Sequence, residues 1–213
     1  IHVKGSGQGR FIGSGWNISL INCTVSDYNI SNNQSYHGRD SYYGRDDPNL
    51  NDDAGTSFIS MGPQSSLVIH NSKFLNNYVH GNWSSLKNPN FLVGMDALQA
   101  AGGSRNLTLS ITNCDFVNNT ISNVEFLANV NALFYFGLLT ADENTEWNMK
   151  GNRFTNNTVT GYGSSFFFFY NEDNLGQGKT FLRLENSIFT QNNVSQQQIP
   201  FGLDRSEEHT SEL

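Results

Sequence analysis

The sequence predicts an all-β protein, a right-handed parallel β-helix solenoid with about five coils of three strands each. Three observations lead to this prediction. A motif recurs five times, alternating apolar residues precede it, and asparagine or glycine occupies fixed turn positions. The 213 residues also include 30 asparagines. Because asparagine is poor in helix interiors and favoured at turns, this composition agrees with many short strands.

The recurring motif is centred on an apolar anchor, found at Val25, Phe74, Phe116, Phe154 and Phe189. Successive copies are 49, 42, 38 and 35 residues apart. Uneven spacing of a constant motif is typical of a solenoid whose loops vary in length. Apolar residues with a period of two, such as Ile18 and Leu20, precede each anchor and predict the first strand of each coil.

A turn is predicted between this first strand and the anchor. The turn slot holds asparagine in four copies and glycine in one, at Asn22, Asn71, Asn113, Gly151 and Asn186. Exchange between these two residues indicates a left-handed backbone conformation. The anchor then begins a second strand, and the third residue after it is predicted to form an inward, hydrogen-bonded ladder of Asn77, Asn119, Asn157 and Asn192.

The third strand of each coil is predicted from an apolar stretch that follows the motif. In the fourth copy this stretch is continuously apolar, with Phe166, Phe167, Phe168 and Phe169. A strand with one face in water should alternate, so a continuous run indicates burial on both faces. A loop, a neighbouring domain or another subunit can supply the cover, and an uncovered row would be an association surface.

The two cysteines occupy the same position of the motif, two residues before the anchor. Cys23 and Cys114 belong to the first and third copies, so two rung spacings of the sheet separate them by about 9.6 Å. This separation exceeds the reach of a disulfide. The sequence therefore predicts two free, semi-buried thiols.

The repeat resembles that of a known group of proteins. The spacing of phenylalanine and asparagine in Phe74–Asn77, Phe116–Asn119, Phe154–Asn157 and Phe189–Asn192 is similar to the repeats of chlamydial polymorphic outer-membrane proteins. More widely, residues 16–200 resemble pectin-lyase-like β-helices. The second motif of the chlamydial repeats, two glycines and an alanine before an aliphatic residue, is missing. The resemblance implies a β-helix of the kind that occurs in adhesins and other cell-surface proteins.

The last nine residues have a different origin in this interpretation. Residues 205–213, RSEEHTSEL, resemble the in-frame translation of a sequencing adapter and are left out of the fold prediction. The remaining residues, 1–204, are expected to form a single β-helix fragment that is open at both ends.

One polar segment, His37–Gly55, is rich in carboxylates, including Asp46, Asp47, Asp52 and Asp53. Clustered carboxylates can bind Ca²⁺ or supply the acid and base of a glycosidase. However, the cluster is confined to one insertion, so a solvated loop is favoured and no catalytic residue or cofactor is assigned. An external groove with two carboxylates and a basic residue within about 10 Å would instead favour an enzyme.

The net charge, the length of the apolar stretches and the glycosylation motifs indicate which classes of partner to expect. The formal net charge of −7 argues against nucleic acid, and no apolar stretch is long enough to span a membrane. Eight acceptor motifs for N-glycosylation are predicted to face outward or lie in loops, at Asn17, Asn29, Asn33, Asn82, Asn106, Asn118, Asn156 and Asn193. A ninth, at Asn22, is excluded because its turn slot is expected to face inward. Outward asparagines can also serve only to solvate the strands, so both interpretations of these motifs stay open.

These observations favour a non-enzymatic, extracellular or cell-surface β-helix that serves as a segment of a coat, filament or adhesin. Its expected partners are neighbouring β-helix coils or further copies of itself, and glycans. The alternative is a carbohydrate-active enzyme, either a polysaccharide lyase or a glycoside hydrolase, with its site in the Asp-rich segment or outside this chain. A glycan-binding module without catalysis is a third hypothesis.

Overall fold

The computed structural model describes residues 2–3, 6–7, 17–32, 57–61, 66–81, 90–96, 109–123, 131–138, 145–161, 164–171 and 180–196. Within these ranges every regular element is a β-strand. Two strands form a partial leading coil, and coils 1 to 5 follow it along the chain.

The strand bounds follow the chain coil by coil. The leading coil has β1 His2–Val3 and β2 Ser6–Gly7. Coil 1 has β3 Ile18–Ile21, β4 Thr24–Ser26, β5 Asn29–Asn32 and β6 Ser57–Met61. Coil 2 has β7 Leu67–His70, β8 Lys73–Leu75, β9 Tyr78–Gly81 and β10 Asn90–Asp96. Coil 3 has β11 Leu109–Thr112, β12 Asp115–Val117, β13 Thr120–Asn123 and β14 Asn131–Leu138. Coil 4 has β15 Thr145–Lys150, β16 Arg153–Thr155, β17 Thr158–Gly161 and β18 Ser165–Asn171. Coil 5 has β19 Thr180–Glu185, β20 Ile188–Thr190 and β21 Asn193–Gln196.

Equivalent strands of successive coils pair in four parallel sheets. Sheet I contains β3, β7, β11, β15 and β19, and sheet II contains β1, β4, β8, β12, β16 and β20. Sheet III contains β2, β5, β9, β13, β17 and β21, and sheet IV contains β6, β10, β14 and β18. The anchors are in register, since Phe74 pairs with Val25 on one side and with Phe116 on the other. The predicted all-β, parallel β-helix solenoid is therefore confirmed.

Each complete coil has four strands instead of the predicted three. The difference comes from a second left-handed corner, two residues after the anchor, where φ lies between 53° and 55° at Asp27, Asn76, Asn118, Asn156 and Gln191. This corner divides the predicted second strand into two short strands that belong to sheets II and III. The first corner is confirmed, with positive φ at all five predicted positions, from 48° at Asn71 to 67° at Gly151.

The core is a column of stacked aromatic rings. The rings of Phe74 and Phe116 are 4.9 Å apart, those of Phe116 and Phe154 are 5.1 Å apart, and those of Phe154 and Phe189 are 4.6 Å apart. Sheet IV closes the core from the opposite side, where the ring of Phe134 packs edge-on against Phe116 and Phe154. Such pairs add to the apolar area that the rings bury.

Consecutive side chains of sheet IV are buried where they are described. Leu92 and Val93 are consecutive and fully buried, and so are Leu133 and Phe134. All four residues belong to the same core cluster, and the pairing of β10 with β14 is interrupted at Leu92 and Leu133, so both consecutive side chains pack into the core there. A cover over the outer face of this sheet stays a prediction.

The ladder position carries a continuous chain of buried amides beside the aromatic column. The Nδ2 atoms of Asn77, Asn119 and Asn157 each donate to Oδ1 of the asparagine in the next coil, at 2.9, 3.0 and 3.0 Å. Each Nδ2 also donates to the carbonyl of an anchor in the preceding coil, as from Asn119 to Phe74 at 2.9 Å. Each Oδ1 accepts a backbone N–H as well, so the amide of Asn119 uses all its donors and acceptors.

A second, mixed ladder occupies the position of the cysteines. Ser72 Oγ accepts from the Cys23 backbone N–H at 3.1 Å, and Asn152 Oδ1 accepts from the Cys114 N–H at 2.9 Å. The thiol of Cys114 donates to the Thr112 carbonyl at 3.1 Å. Small polar side chains therefore exchange with cysteine at this corner because each can satisfy a backbone group there.

Asn119→Ala is expected to lower the free energy of unfolding by about 3 kcal/mol. The substitution leaves the Asn77 N–H and one Asn77 amide hydrogen without partners in the core, and each buried unpaired group costs about 1–3 kcal/mol. Urea denaturation measures the change. Asn193→Ala is the matched control, since Asn193 is exposed on sheet III, and a change within about 0.5 kcal/mol is expected there. Equal effects of the two substitutions would contradict a structural ladder.

Two substitutions at Gly151 test whether the backbone of this corner is left-handed. Gly151→Asn restores the residue found at the equivalent corners and is expected to change stability by less than about 1 kcal/mol. A Cβ at this position would be too close only to Oδ1 of the exposed Asn113 side chain, which can rotate away, and would lie at ordinary contact distance from Cγ and the backbone N of Asn113. Gly151→Val is expected to cost about 2 kcal/mol because a branched residue is strained at positive φ. Thermal unfolding compares them, and equal tolerance of both residues would show that the corner is not left-handed.

Candidate functional site

The Asp-rich segment that is the metal or catalytic candidate, with Asp46, Asp47, Asp52 and Asp53, lies outside the described residues. The calcium and solvated-loop interpretations of it both stay predictions. Among the residues that the structure does describe, no group of three or more His, Cys, Asp or Glu side chains could hold a metal ion. Nor does that part of the chain contain a helix long and apolar enough to cross a membrane.

A charged cluster that was not predicted lies on the outer face of sheet I, where coils 4 and 5 meet. The Arg183 guanidinium contacts Glu185 at 2.6 Å and Glu146 at 3.7 Å. The Lys150 ammonium reaches the other carboxylate oxygen of Glu185 at 3.6 Å. Two carboxylates and two basic groups therefore converge on one external face, which is the combination that would favour a carbohydrate-active enzyme.

The position of this cluster could have been found from the repeat. Lys150 and Glu185 are 35 residues apart, the same separation as the last two ladder asparagines, and they pair across β15 and β19. Glu146 and Arg183 belong to the same two strands. The signal was missed because charges 35 residues apart look unrelated until the coils are aligned.

The electrostatics of the cluster oppose acid–base catalysis. Hydrogen bonding from Arg183 and its positive charge lower the pKa of Glu185, whereas a glycosidase acid needs a raised pKa. Hydrogen bonding to Glu185, with the charges of Glu185 and Glu146, raises the pKa of Arg183, so its guanidinium cannot serve as a base near neutral pH. All four side chains are substantially exposed to water. The arrangement is a surface ion-pair network.

Two histidine–hydroxyl pairs also lie on the outer surface. His80 Nδ1 is 2.9 Å from Ser122 Oγ, and His70 Nδ1 is 2.7 Å from Thr112 Oγ1. The Ser122 hydroxyl also contacts the Tyr78 hydroxyl at 3.2 Å, so Ser122 has two polar neighbours on this surface.

The cysteines are free and both are buried, which confirms the predicted free thiols, although they are more buried than the semi-buried state expected. Burial raises the pKa of the Cys114 thiol to about 11. A thiol with such a pKa is almost entirely protonated at neutral pH, and the thiolate is the reactive form. Cys114 therefore fits a structural role in the mixed ladder.

Phe166 and Phe167, the first two residues of the predicted association surface, pack inward. The ring of Phe166 contacts Phe154 edge-on at 5.5 Å, and the ring of Phe167 stacks on Phe134 at 5.4 Å. Both rings therefore pack against the core and do not form an outer strip. The side chains of Phe168 and Phe169 lie outside the described residues.

Five of the predicted glycosylation positions are described, and all five are exposed, at Asn17, Asn29, Asn118, Asn156 and Asn193. Asn33, Asn82 and Asn106 lie outside the described residues. The prediction that Asn22 faces inward is wrong, because Asn22 is exposed. A left-handed residue redirects its Cβ, so counting alternate positions along the strand does not hold through the corner.

No known protein family matches the chain, and neither a curated protein nor a solved structure matches it. Its function has to be inferred from the geometry of its own residues. In the described part, that geometry consists of a continuous internal framework and an outer surface of ion pairs and hydroxyl groups.

The pKa of Glu185, followed by NMR of its carboxyl carbon, is expected to lie below the ordinary glutamate value. Arg183→Gln should raise it towards that value because the hydrogen bond from the guanidinium and its positive charge are lost. The ion pair contributes stability above the ordinary pKa, and this contribution is lost as pH falls through the lowered pKa. Arg153→Gln is the control, since Arg153 contacts Asp115 instead. A Glu185 pKa above the ordinary value would instead identify a possible catalytic acid.

Proposed function

We propose that this chain is a mechanical segment of a secreted or cell-surface β-helix, part of a coat, filament or adhesin, and that it transmits force along the helix axis. The observation that carries the proposal is the unbroken amide ladder from Asn77 to Asn192 beside the stacked anchors. From coil 1 to coil 5, each coil is hydrogen-bonded to the next in at least three sheets. A solenoid connected in this way resists bending and transmits force along its axis.

The outer surface supports a structural role over a catalytic one. Six of its charged groups form ion pairs, as Arg153 does with Asp115 at 3.0 Å. Hydroxyl groups form further pairs between coils, as Thr155 does with Thr190 at 3.0 Å. These contacts reinforce the stacking of neighbouring coils, and a substrate would have to displace them.

The extracellular location is supported by the exposed glycosylation motifs and by the resemblance of the repeat to chlamydial polymorphic outer-membrane proteins. The motifs have a structural explanation as well. In Asn118–Thr120 the first residue forms a left-handed corner, Asn119 belongs to the ladder and Thr120 begins a strand. Their presence therefore supports secretion less strongly than their number indicates.

A carbohydrate-active enzyme is the second candidate, and the cluster of Glu146, Lys150, Arg183 and Glu185 is the observation in its favour. Within this hypothesis the two glutamates would be the essential carboxylates. The lowered pKa of Glu185 and its exposed setting favour the structural proposal.

Under force applied to its two ends, the full chain is expected to unfold in discrete steps of one coil each. Copies separated by 35 to 49 residues should release about 120–170 Å of chain per step, at about 3.5 Å per residue. Optical tweezers measure these steps. The Asn119→Ala variant should yield first at coil 3, at a lower force.

An activity assay supplies the contrasting outcome. The purified chain is incubated with neutral and acidic polysaccharides, and new reducing ends and unsaturated uronates are measured. The structural proposal predicts no product. Depolymerisation that disappears in Glu146→Gln and Glu185→Gln variants with unchanged thermal unfolding would establish the enzyme instead.

A further inference from the structure

The corner at Asn22 is an exposed attachment point on the first complete coil. Its backbone has a φ of 52°, and its N–H donates to the His70 carbonyl at 3.0 Å, so main-chain contacts hold the corner. The side chain is exposed and makes no hydrogen bond to another described residue. A substituent on the side-chain amide would therefore leave the contacts that form the corner intact.

The residues after Asn22 complete an acceptor motif for N-glycosylation, Asn22–Cys23–Thr24. Cys23 is buried and Thr24 lies on the outer face of β4, so all three residues are compatible with the coil while Asn22 projects outward. Two other motif asparagines have engaged side chains. Asn118 Nδ2 donates to Asn76 at 3.1 Å, and Asn17 Oδ1 accepts from Ser66 at 2.8 Å.

An apolar neighbour gives a second reason to place a sugar here. Ile21, which directly precedes Asn22, is 53% exposed. Outside coil 5, the only other large apolar side chain with comparable exposure in the described part is Tyr78. A sugar attached to Asn22 would cover this residue and lower the apolar surface open to lateral association.

We propose that Asn22 is an N-glycosylation site, a modification that the folded coil accommodates and that shields Ile21. This inference rests on the proposed passage of the chain through a secretory pathway. The co-substrate is an oligosaccharide carried on a lipid diphosphate, used by the host transferase. Asn22 Nδ2 bonds to the anomeric carbon, the bond from that carbon to the diphosphate breaks, the lipid diphosphate leaves with the electron pair, and Nδ2 releases one proton.

The test is expression of the full chain behind a secretion signal in a eukaryotic cell. Enzymatic deglycosylation in heavy-oxygen water marks each formerly occupied asparagine, and mass spectrometry of the peptides measures occupancy at Asn17, Asn22 and Asn29. Most secreted molecules are expected to be modified at Asn22. Thr24→Val should abolish modification at Asn22 while it keeps both the asparagine and a β-branched residue in the outer strand.

Lys73→Thr is the matched control. It creates an acceptor motif at Asn71, which occupies the same exposed corner in coil 2, and this new site is expected to be modified too. Thermal unfolding of the glycosylated protein and of Thr24→Val should agree within a few degrees, which shows that the coil accommodates the sugar.

Modification at Asn17 or Asn29 with Asn22 left bare would overturn the inference and leave the proposed function standing. Loss of folding in molecules modified at Asn22 would overturn it as well. A chain modified at none of its motifs would contradict both the inference and the glycan-based support for secretion. The force measurement would still report independently on the mechanical role.

Discussion

The hydrogen bonding of the buried ladder amides is the constraint on which the rest of the structure depends. An asparagine side chain in an apolar core is costly unless its donors and its acceptor are paired. In this chain the partners are the equivalent amide of the next coil and the anchor carbonyl of the preceding one, as Asn119 shows. A shift of one coil by a single residue would unpair these groups, so the ladder specifies the register that also stacks the phenylalanine rings.

Two left-handed corners per coil make this stacking geometrically possible. Asn113 and Asn118 bracket the three-residue strand β12, and each reverses the usual sign of φ. The short strand between them keeps the anchor and the ladder asparagine inside while the corner side chains point into water. The same geometry explains why asparagine is abundant both in the core and on the surface, and why glycosylation motifs arise where corner, ladder and strand residues follow one another.

Much of this architecture could be predicted because the repeat exposes equivalent positions. The anchors, the first corner and the position of the ladder residues follow from aligning five copies. The second corner was hidden because Asp27 and Gln191 interrupt its run of asparagine. The leading coil was missed because Ser6 and Gly7, in a glycine-rich stretch typical of turns, form a strand only through pairing with Asn29 and Ile30. The exposure of Asn22 and the ion pairs of Arg183 depend on corner geometry and coil register, which a linear pattern does not contain.

The most direct test of the central claim, that five coils stack in register, is a distance along one row of the solenoid. Asn29 and Asn193 lie on the same outer row of sheet III, connected through Tyr78, Thr120 and Thr158. Four rungs place their Cα atoms about 19 Å apart. Spin labels at Asn29→Cys and Asn193→Cys, measured by pulsed electron resonance, should give one narrow distribution near this value, within the length of the label linkers. A broad distribution, or a mean well beyond that length, would contradict the stacked β-helix.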